Sequence, residues 1–214
     1  MGRFTGHDQR LRGVFCHESI EASAKKKYKK MKNETRQVSP FLSLVPVTEV
    51  NAVTILPLMQ ACYPPVYAHL WEDGGTWYLN ETYREEAVLR DLAEADAPYW
   101  IVQWAGHPVG ILRWNLHQPC LDYPAEAGLK LHRIYLHPST HGKGIGRELL
   151  ALTDREAQRL GKSLVWLEAM DTQQAAQGFY EKMGYQVTGT LRLSFERMHE
   201  HYRGMIRMTK VYKM

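Results

Sequence analysis

Hydrophobic positions change rhythm along the chain, and each rhythm assigns an element. Through residue 40 apolar residues are sparse and unperiodic, and residues 22–32 are dominated by lysine, so residues 1–40 read as a solvated, disordered arm. Residues 41–47 form a short β-like run. From Thr48 a helical pattern carries Val50, Val53, Ile55, Leu56, Leu58 and Met59; Pro57 inside it predicts a kink, and Tyr63-Pro64-Pro65 ends it. Residues 71–82, centred on Gly74-Gly75, read as loop. Residues 83–95 predict a second helix with Ala87, Val88, Leu92 and Ala95 on one stripe.

A hairpin follows, with strands at 99–104 and 109–114 joined by the turn Ala105-Gly106-His107. Residues 120–128 are an excursion, and 129–136 predict another strand closed by His137-Pro138. Residues 146–160 are strongly amphipathic: Leu149, Leu150, Thr153, Ala157 and Leu160 face inward, while Glu148, Arg155, Glu156 and Arg159 face outward. Gly161 stops that helix. A strand at 163–168, a helix at 172–183 ending at Gly184, and strands at 185–193 and 205–213 complete the chain. The order β-α-α-β-β-β-α-β-α-β-β is that of a mixed α/β domain spanning 41–214, without internal repeat.

Composition sharpens this picture. At 214 residues, 44% hydrophobic and 11% aromatic, the chain has enough apolar material for one core. A net charge of +4 and a pI near 8.9 suggest a nucleic-acid partner, but the charge is unevenly placed. Residues 1–40 hold ten Lys or Arg against four Asp or Glu, so +6 sits in the arm and about −2 remains for 41–214. Nucleic acid is therefore not an expected partner of the domain. Met31 is an alternative start for the chain. Cys16, Cys62 and Cys120 show no CxxC spacing, so neither a disulfide framework nor a cysteine zinc site is expected. No apolar run is long enough to cross a bilayer, and no apolar leader precedes the charges, so a cytoplasmic protein without membrane contact is expected.

The stretch that carries chemistry is a strand, then His-Pro, then His141-Gly142-Lys143-Gly144-Ile145-Gly146 opening a helix. Unpaired amides at a glycine-rich helix N-terminus converge on an anion, and the helix dipole favours negative charge there. A phosphate or pyrophosphate is the expected guest. The pattern GxxxxGK[ST] is absent, because Lys143 precedes Gly144, and GxGxxG is incomplete, because Arg147-Glu148 follows Gly146. Nucleotide hydrolysis and a dinucleotide-binding fold both fit poorly.

This segment resembles the [RQ]xxGx[GA] motif of the GNAT superfamily of acetyl-CoA-dependent N-acetyltransferases, except at its first position. The flanking Arg133-Ile134-Tyr135-Leu136-His137-Pro138 and the downstream Phe179-Tyr180-Glu181-Lys182-Met183-Gly184-Tyr185 are also similar to family segments at the usual distance. The resemblance covers residues 41–214. It implies a GNAT-like fold, with a mainly antiparallel sheet of about seven strands and about four flanking helices. It also implies acetyl-CoA as co-substrate, with pantetheine lying along the backbone of Ile134, Tyr135 and Leu136. Pyrophosphate is then expected on the amides from Gly142 through Lys143, Gly144, Ile145 and Gly146 to Arg147. His141 replaces the family's Arg or Gln, and Gln173 stands where an Asn often touches the cofactor.

The implied reaction is direct attack of an amine on a thioester. The amine must lose a proton, and the departing thiolate benefits from gaining one. Tyr180 matches the family's acid. Lys130 occupies the position of a common strand Glu and cannot serve as a carboxylate base. His132, where the serotonin N-acetyltransferase branch keeps a histidine, and Glu168 are the competing bases. No metal is expected, because His132, His137 and His141, like His199-Glu200-His201, lack a recognised ligand spacing.

Trp71 and Trp77 fall in the loop that borders the acceptor pocket in the family. Residues 71–96 hold eight acidic against two basic side chains, which would draw a cationic small-molecule acceptor such as a polyamine. A peptide or protein amine is the other acceptor class. The competing function is a non-catalytic acyl-CoA-binding module. Residues 194–204 are a candidate lid or homodimer contact.

Overall fold

The structure is a computed structural model that describes residues 31–123 and 128–212. Its frame is one eight-stranded sheet in the order β1-β2-β3-β4-β5-β6-β8-β7. The strands are β1 (Arg36–Gln37), β2 (Leu42–Pro46), β3 (Tyr99–Trp104), β4 (His107–Asn115), β5 (Gly128–Leu136), β6 (Leu164–Met170), β7 (Gln186–Arg192) and β8 (Gly204–Val211). Every neighbouring pair is antiparallel except β5–β6.

Six α-helices lie wholly within the described residues, which also include a helical turn at 31–33: α1 (Ile55–Cys62), α2 (Pro64–Tyr67), α3 (Thr76–Tyr83), α4 (Glu85–Ala93), α5 (Ile145–Arg159) and α6 (Gln174–Lys182). One core cluster joins the inner stripe of α5 (Ile145, Leu149, Leu150, Ala157) to Trp100, Leu112, Trp114, Leu129, Leu131, Val165 and Leu167, with Phe179 and Tyr180 of α6 against it. A second joins α1, α3 and α4 to Tyr99, Ile101, Ile111 and Met170. The sheet is thus covered on both faces, as an amphipathic helix set around a sheet requires.

Three expectations are corrected. The sheet has eight strands, because Arg36–Gln37 pairs antiparallel with β2. Residues 31–40 are part of the domain: Met31 is buried in the core and its carbonyl accepts from Trp100 Nε1 at 3.2 Å. Lys32 Nζ donates to the carbonyls of Leu92 and Glu94. Arg36 pairs with Glu156, which is why Glu156, expected outside on α5, is buried. The reading of residues 1–30 as a solvated arm lies outside the described residues.

Helices also differ from expectation. Residues 76–82, expected as loop, belong to α3, which ends at Tyr83, because Asp73 caps it: its two carboxylate oxygens accept from the amides of Gly75 and Trp77 at 3.0 and 2.7 Å. Pro57 does not break α1, since it lies in the first turn, where its missing N–H is not needed.

Candidate active site

The parallel pairing of β5 with β6 runs from Gly128↔Leu164 through Leu129↔Val165 to Lys130↔Trp166 and then stops. Beyond it β5 stays with β4 as far as Leu136↔Gly110, and β6 stays with β8 as far as Met170↔Met205. The two strands therefore part in the middle of the sheet, leaving facing backbone edges that pair with neither strand.

A bulge accompanies the parting. Arg113 pairs with Arg133 and Trp114 with Leu131, so His132 is an extra residue on β5. The side-chain alternation flips there. Leu129 and Leu131 belong to the α5-side core, and so do Ile134 and Leu136, while Tyr135 packs with the opposite cluster.

Between the parted strands lies a cavity of about 330 Å³. Lys130, His132, Arg133, Ile134 and Tyr135 line it from β5, Glu168 from β6, and Gln173 and Tyr180 from the start and body of α6. Of the expected site residues, His132, Glu168, Tyr180, Ile134, Tyr135 and Gln173 thus converge on one space. Leu136 and the run from His141 to Arg147 do not line it; they stand at the far end of the parting.

That far end has the features of an anion cradle. His137 caps a short turn, its Nδ1 accepting from the Ser139 amide at 3.2 Å and its carbonyl from Thr140 Oγ1 at 2.6 Å. Gly142 and Gly144 both have φ of +77°, and a Cβ on either would meet no atom within 4 Å. The left-handed backbone requires glycine, and the space beside it is open. Glu148 N–H donates to the Gly144 carbonyl, so the amides of Ile145, Gly146 and Arg147 precede the first intrahelical bond of α5. Lys143 and Arg147 are exposed beside them, as is His141. Gly146 serves packing instead: a Cβ there would come within 3.2 Å of the Phe179 ring.

The cavity's charged groups are already partnered. Lys130 Nζ donates to Glu168 Oε2 at 2.8 Å and lies over the Trp166 ring, and Arg207 Nε stands 3.9 Å from Glu168 Oε1. Arg133 pairs with Asp91, and Arg113 reaches both Asp91 (3.3 Å) and Glu94 (2.9 Å). These pairs, with Asp73 capping α3, account for three of the acids expected to form an attractive rim. None of those acids lines the cavity.

His132 is held by Arg113, whose Nη1 meets its Nδ1. A guanidinium only donates, so Nδ1 accepts and the proton resides on Nε2. Burial, with the cations of Arg133, Arg113 and Lys130 nearby, pushes the imidazole down to about 2. An imidazole with its lone pair occupied is opposed as a base, so the expectation that gave His132 this role meets a physical obstacle. Burial, with Tyr67 beside it, raises the Tyr180 hydroxyl above the usual tyrosine value, which keeps its proton in place.

Sequence reasoning missed the aromatic half of the cavity: Tyr63, Tyr67, Tyr78 and Phe195 join the expected Trp71. Trp77 is one layer behind, 6.1 Å from Trp71 and 6.0 Å from Phe195. The i, i+4 spacing of Tyr63 and Tyr67 was the available signal, and Arg113, alone among Ile111, Leu112 and Trp114 in a buried strand, was the signal for the His132 support.

A mixed sheet parted between two parallel strands, with a glycine cradle opening a helix at one end of the parting, is the arrangement that the GNAT resemblance implies. Residues 55–185 match the model of the Acetyltransferase (GNAT) family, and the chain belongs to that family.

Among curated relatives, an uncharacterised N-acetyltransferase from Lactobacillus delbrueckii is 23% identical over 107 residues, covering 50% of this chain and 62% of that protein. The L-methionine sulfoximine/L-methionine sulfone acetyltransferase of Salmonella typhimurium is 38% identical over 61 residues, 28% of this chain and 35% of that protein. The chain thus spans less than two thirds of the length of these relatives. Among solved structures, the PaiA N-acetyltransferase of Thermoplasma acidophilum in complex with coenzyme A superposes with a TM-score of 0.60 at 17% identity, covering 80% of this chain and 99% of that one. The ribosomal L7/L12 α-N-protein acetyltransferase RimL, also with coenzyme A, gives 0.62 at 17% identity over 83% and 98%. These likenesses establish the fold.

Proposed function

We propose that the protein transfers the acetyl group of acetyl-CoA to the nitrogen of a primary amine by direct attack within the cavity. The observation that carries this reading is the parting of β5 from β6 beyond Lys130, which leads from the glycine cradle to a space lined by Tyr180 and Glu168. The amides of Ile145, Gly146 and Arg147 receive the pyrophosphate, with Lys143 and Arg147 adding charge. The unpaired edge of β5 at Ile134–Leu136 receives the pantetheine amides. The coenzyme A complexes of PaiA and RimL support this assignment by likeness of fold.

Two protons leave the nitrogen and one reaches the sulfur. Glu168 takes the first ammonium proton, which frees the nitrogen lone pair to form the C–N bond at the thioester carbonyl carbon. As the C–S bond breaks, Tyr180 gives its proton to the departing sulfur, and the second proton, shed by the now positively charged nitrogen, restores the Tyr180 hydroxyl. His132 remains neutral and offers an Nε2–H donor to the same space. No cysteine lines the cavity, as Cys62 and Cys120 are buried elsewhere, so a thiol-borne acetyl intermediate has no candidate among the described residues. Identifying the product by mass tests the reading: one acetyl amide should appear for each coenzyme A thiol released. Saturable coenzyme A binding without any acetylated amine would reduce the protein to an acyl-CoA-binding module.

A further inference from the structure

The half of the cavity remote from the glycine cradle is walled by aromatic rings from separate segments. Tyr63 and Tyr67, from the end of α1 and from α2, stack at 4.8 Å, and both lie 5.7 Å from Tyr135 of β5. Tyr78 of α3 stacks on Trp71 at 4.9 Å, and Phe195 closes on Trp71 at 5.6 Å and on Tyr78 at 5.9 Å. These walls are fixed to one another. Trp71 Nε1 donates to Tyr63 Oη at 2.9 Å. The loop bearing Phe195 is tied by main-chain bonds from Glu72 N to Arg197 O and from His199 N to Leu70 O. Residues 194–204, expected as a lid or a contact between copies, are here a wall of the cavity.

The charges lining this space are the Lys130–Glu168 pair and Arg133, itself paired with Asp91. One carboxylate therefore faces the cavity: Lys130 takes its Oε2, and Oε1 is left for the reacting ammonium. A polyamine would bring further ammonium groups with no carboxylate to meet them; ring faces offer each about 0.5–2 kcal/mol of cation–π attraction, less than the several kcal/mol that desolvating an unpaired charge costs. An amino acid would bring a carboxylate that needs a cation, and both lining cations have partners. An apolar body, by contrast, is released from water against the rings at no such penalty.

We propose that this aromatic box selects a primary amine on a short alkyl chain ending in an aryl group, and that Tyr67, Tyr78 and Phe195 determine that specificity. The proposal rests on the acetyl-transfer reading above and replaces the polyamine expectation.

The test uses the full chain with acetyl-CoA and a matched panel: phenethylamine, tryptamine, n-butylamine, phenylalanine and spermidine. Thiol release gives kcat/KM, and calorimetry in the presence of coenzyme A gives acceptor binding. Phenethylamine or tryptamine should exceed spermidine and phenylalanine by at least about tenfold in kcat/KM. Tyr78→Ala and, on a separate segment in case the first variant misfolds, Phe195→Ala should each raise the phenethylamine KM about tenfold while leaving the acetyl-CoA Kd unchanged. Spermidine or phenylalanine as the best acceptor overturns the proposal, as does an equal loss for every amine in both folded variants. If no amine releases thiol, the transfer reading fails, and binding alone judges the box: calorimetric binding of phenethylamine but not spermidine upholds it, and the absence of such binding overturns it.

Discussion

Arg113 donates a hydrogen bond to Nδ1 of His132, reaching from the buried strand β4 to the residue that β5 gains at its bulge. The contact fixes both the tautomer and the charge of the imidazole facing the cavity. It also couples His132 to stability. Folded His132 is pushed down to about 2 from an ordinary 6.5, mainly by burial. Below about pH 6.5 the unfolded chain binds a proton that the folded protein does not, so stability falls as pH falls, by up to about 1.4 kcal/mol per pH unit. Above pH 6.5 the contribution is complete. Urea unfolding at pH 7.5, 6 and 5 should therefore show a shallower loss for His132→Gln than for wild type. Parallel losses in the two proteins would mean that His132 protonates in the folded state.

Gly110 sits on β4 opposite Leu136, and a Cβ added there would lie 2.0 Å from the Tyr135 carbonyl oxygen. Gly110→Ala must push β5 away at the segment assigned to the pantetheine. Its expected cost is about 2–3 kcal/mol of stability in chemical denaturation. A variant as stable as wild type would show that β5 yields freely at this point.

The cradle predicts a different phenotype. Gly144 has open space around it but a φ of +77°, so Gly144→Ala places strain of about 1–2 kcal/mol at the mouth of α5 and a methyl group where the pyrophosphate is assigned. Titration calorimetry should find acetyl-CoA bound about tenfold more weakly by a folded variant. Unchanged affinity would move the anion site elsewhere.

Tyr180→Phe keeps the ring against Tyr185 and removes only the proton donor. We expect kcat to drop on the order of 10²-fold while the acetyl-CoA Kd is nearly constant. Glu168→Gln should lower kcat by a similar factor. A rate within twofold of wild type in either variant would remove that residue from the proton path.

Strand and helix positions from residue 99 onward were legible in the sequence because apolar period and turn residues agree there. Predicted strands at 99–104 and 129–136 stand as Tyr99–Trp104 and Gly128–Leu136, and the predicted helix at 146–160 as Ile145–Arg159. Helix α3 escaped because its cap, Asp73, acts through a left-handed Gly75 that reads locally as loop. Residues 31–40 escaped because what holds them is non-local: Met31 meets Trp100, and Arg36 meets Glu156.

The glycine cradle and Tyr180 were legible because their chemistry is written in contiguous motifs. The aromatic box was not, since its rings come from α1 to α3, β5 and the loop before β8, and only folding brings them together. The acidic content of residues 71–96 misled for the same reason: Asp91 and Glu94 turn to Arg113 and Arg133, partners that composition does not reveal.

The most direct test of direct transfer is rapid mixing of the protein with acetyl-CoA while free thiol is followed, first alone and then with an acceptor such as phenethylamine. No thiol should appear until the amine is present, and its release should then be saturable and amine-dependent. A burst of thiol equal to the enzyme concentration before any amine is added would contradict direct attack, and silence with every amine would contradict acetyl transfer altogether.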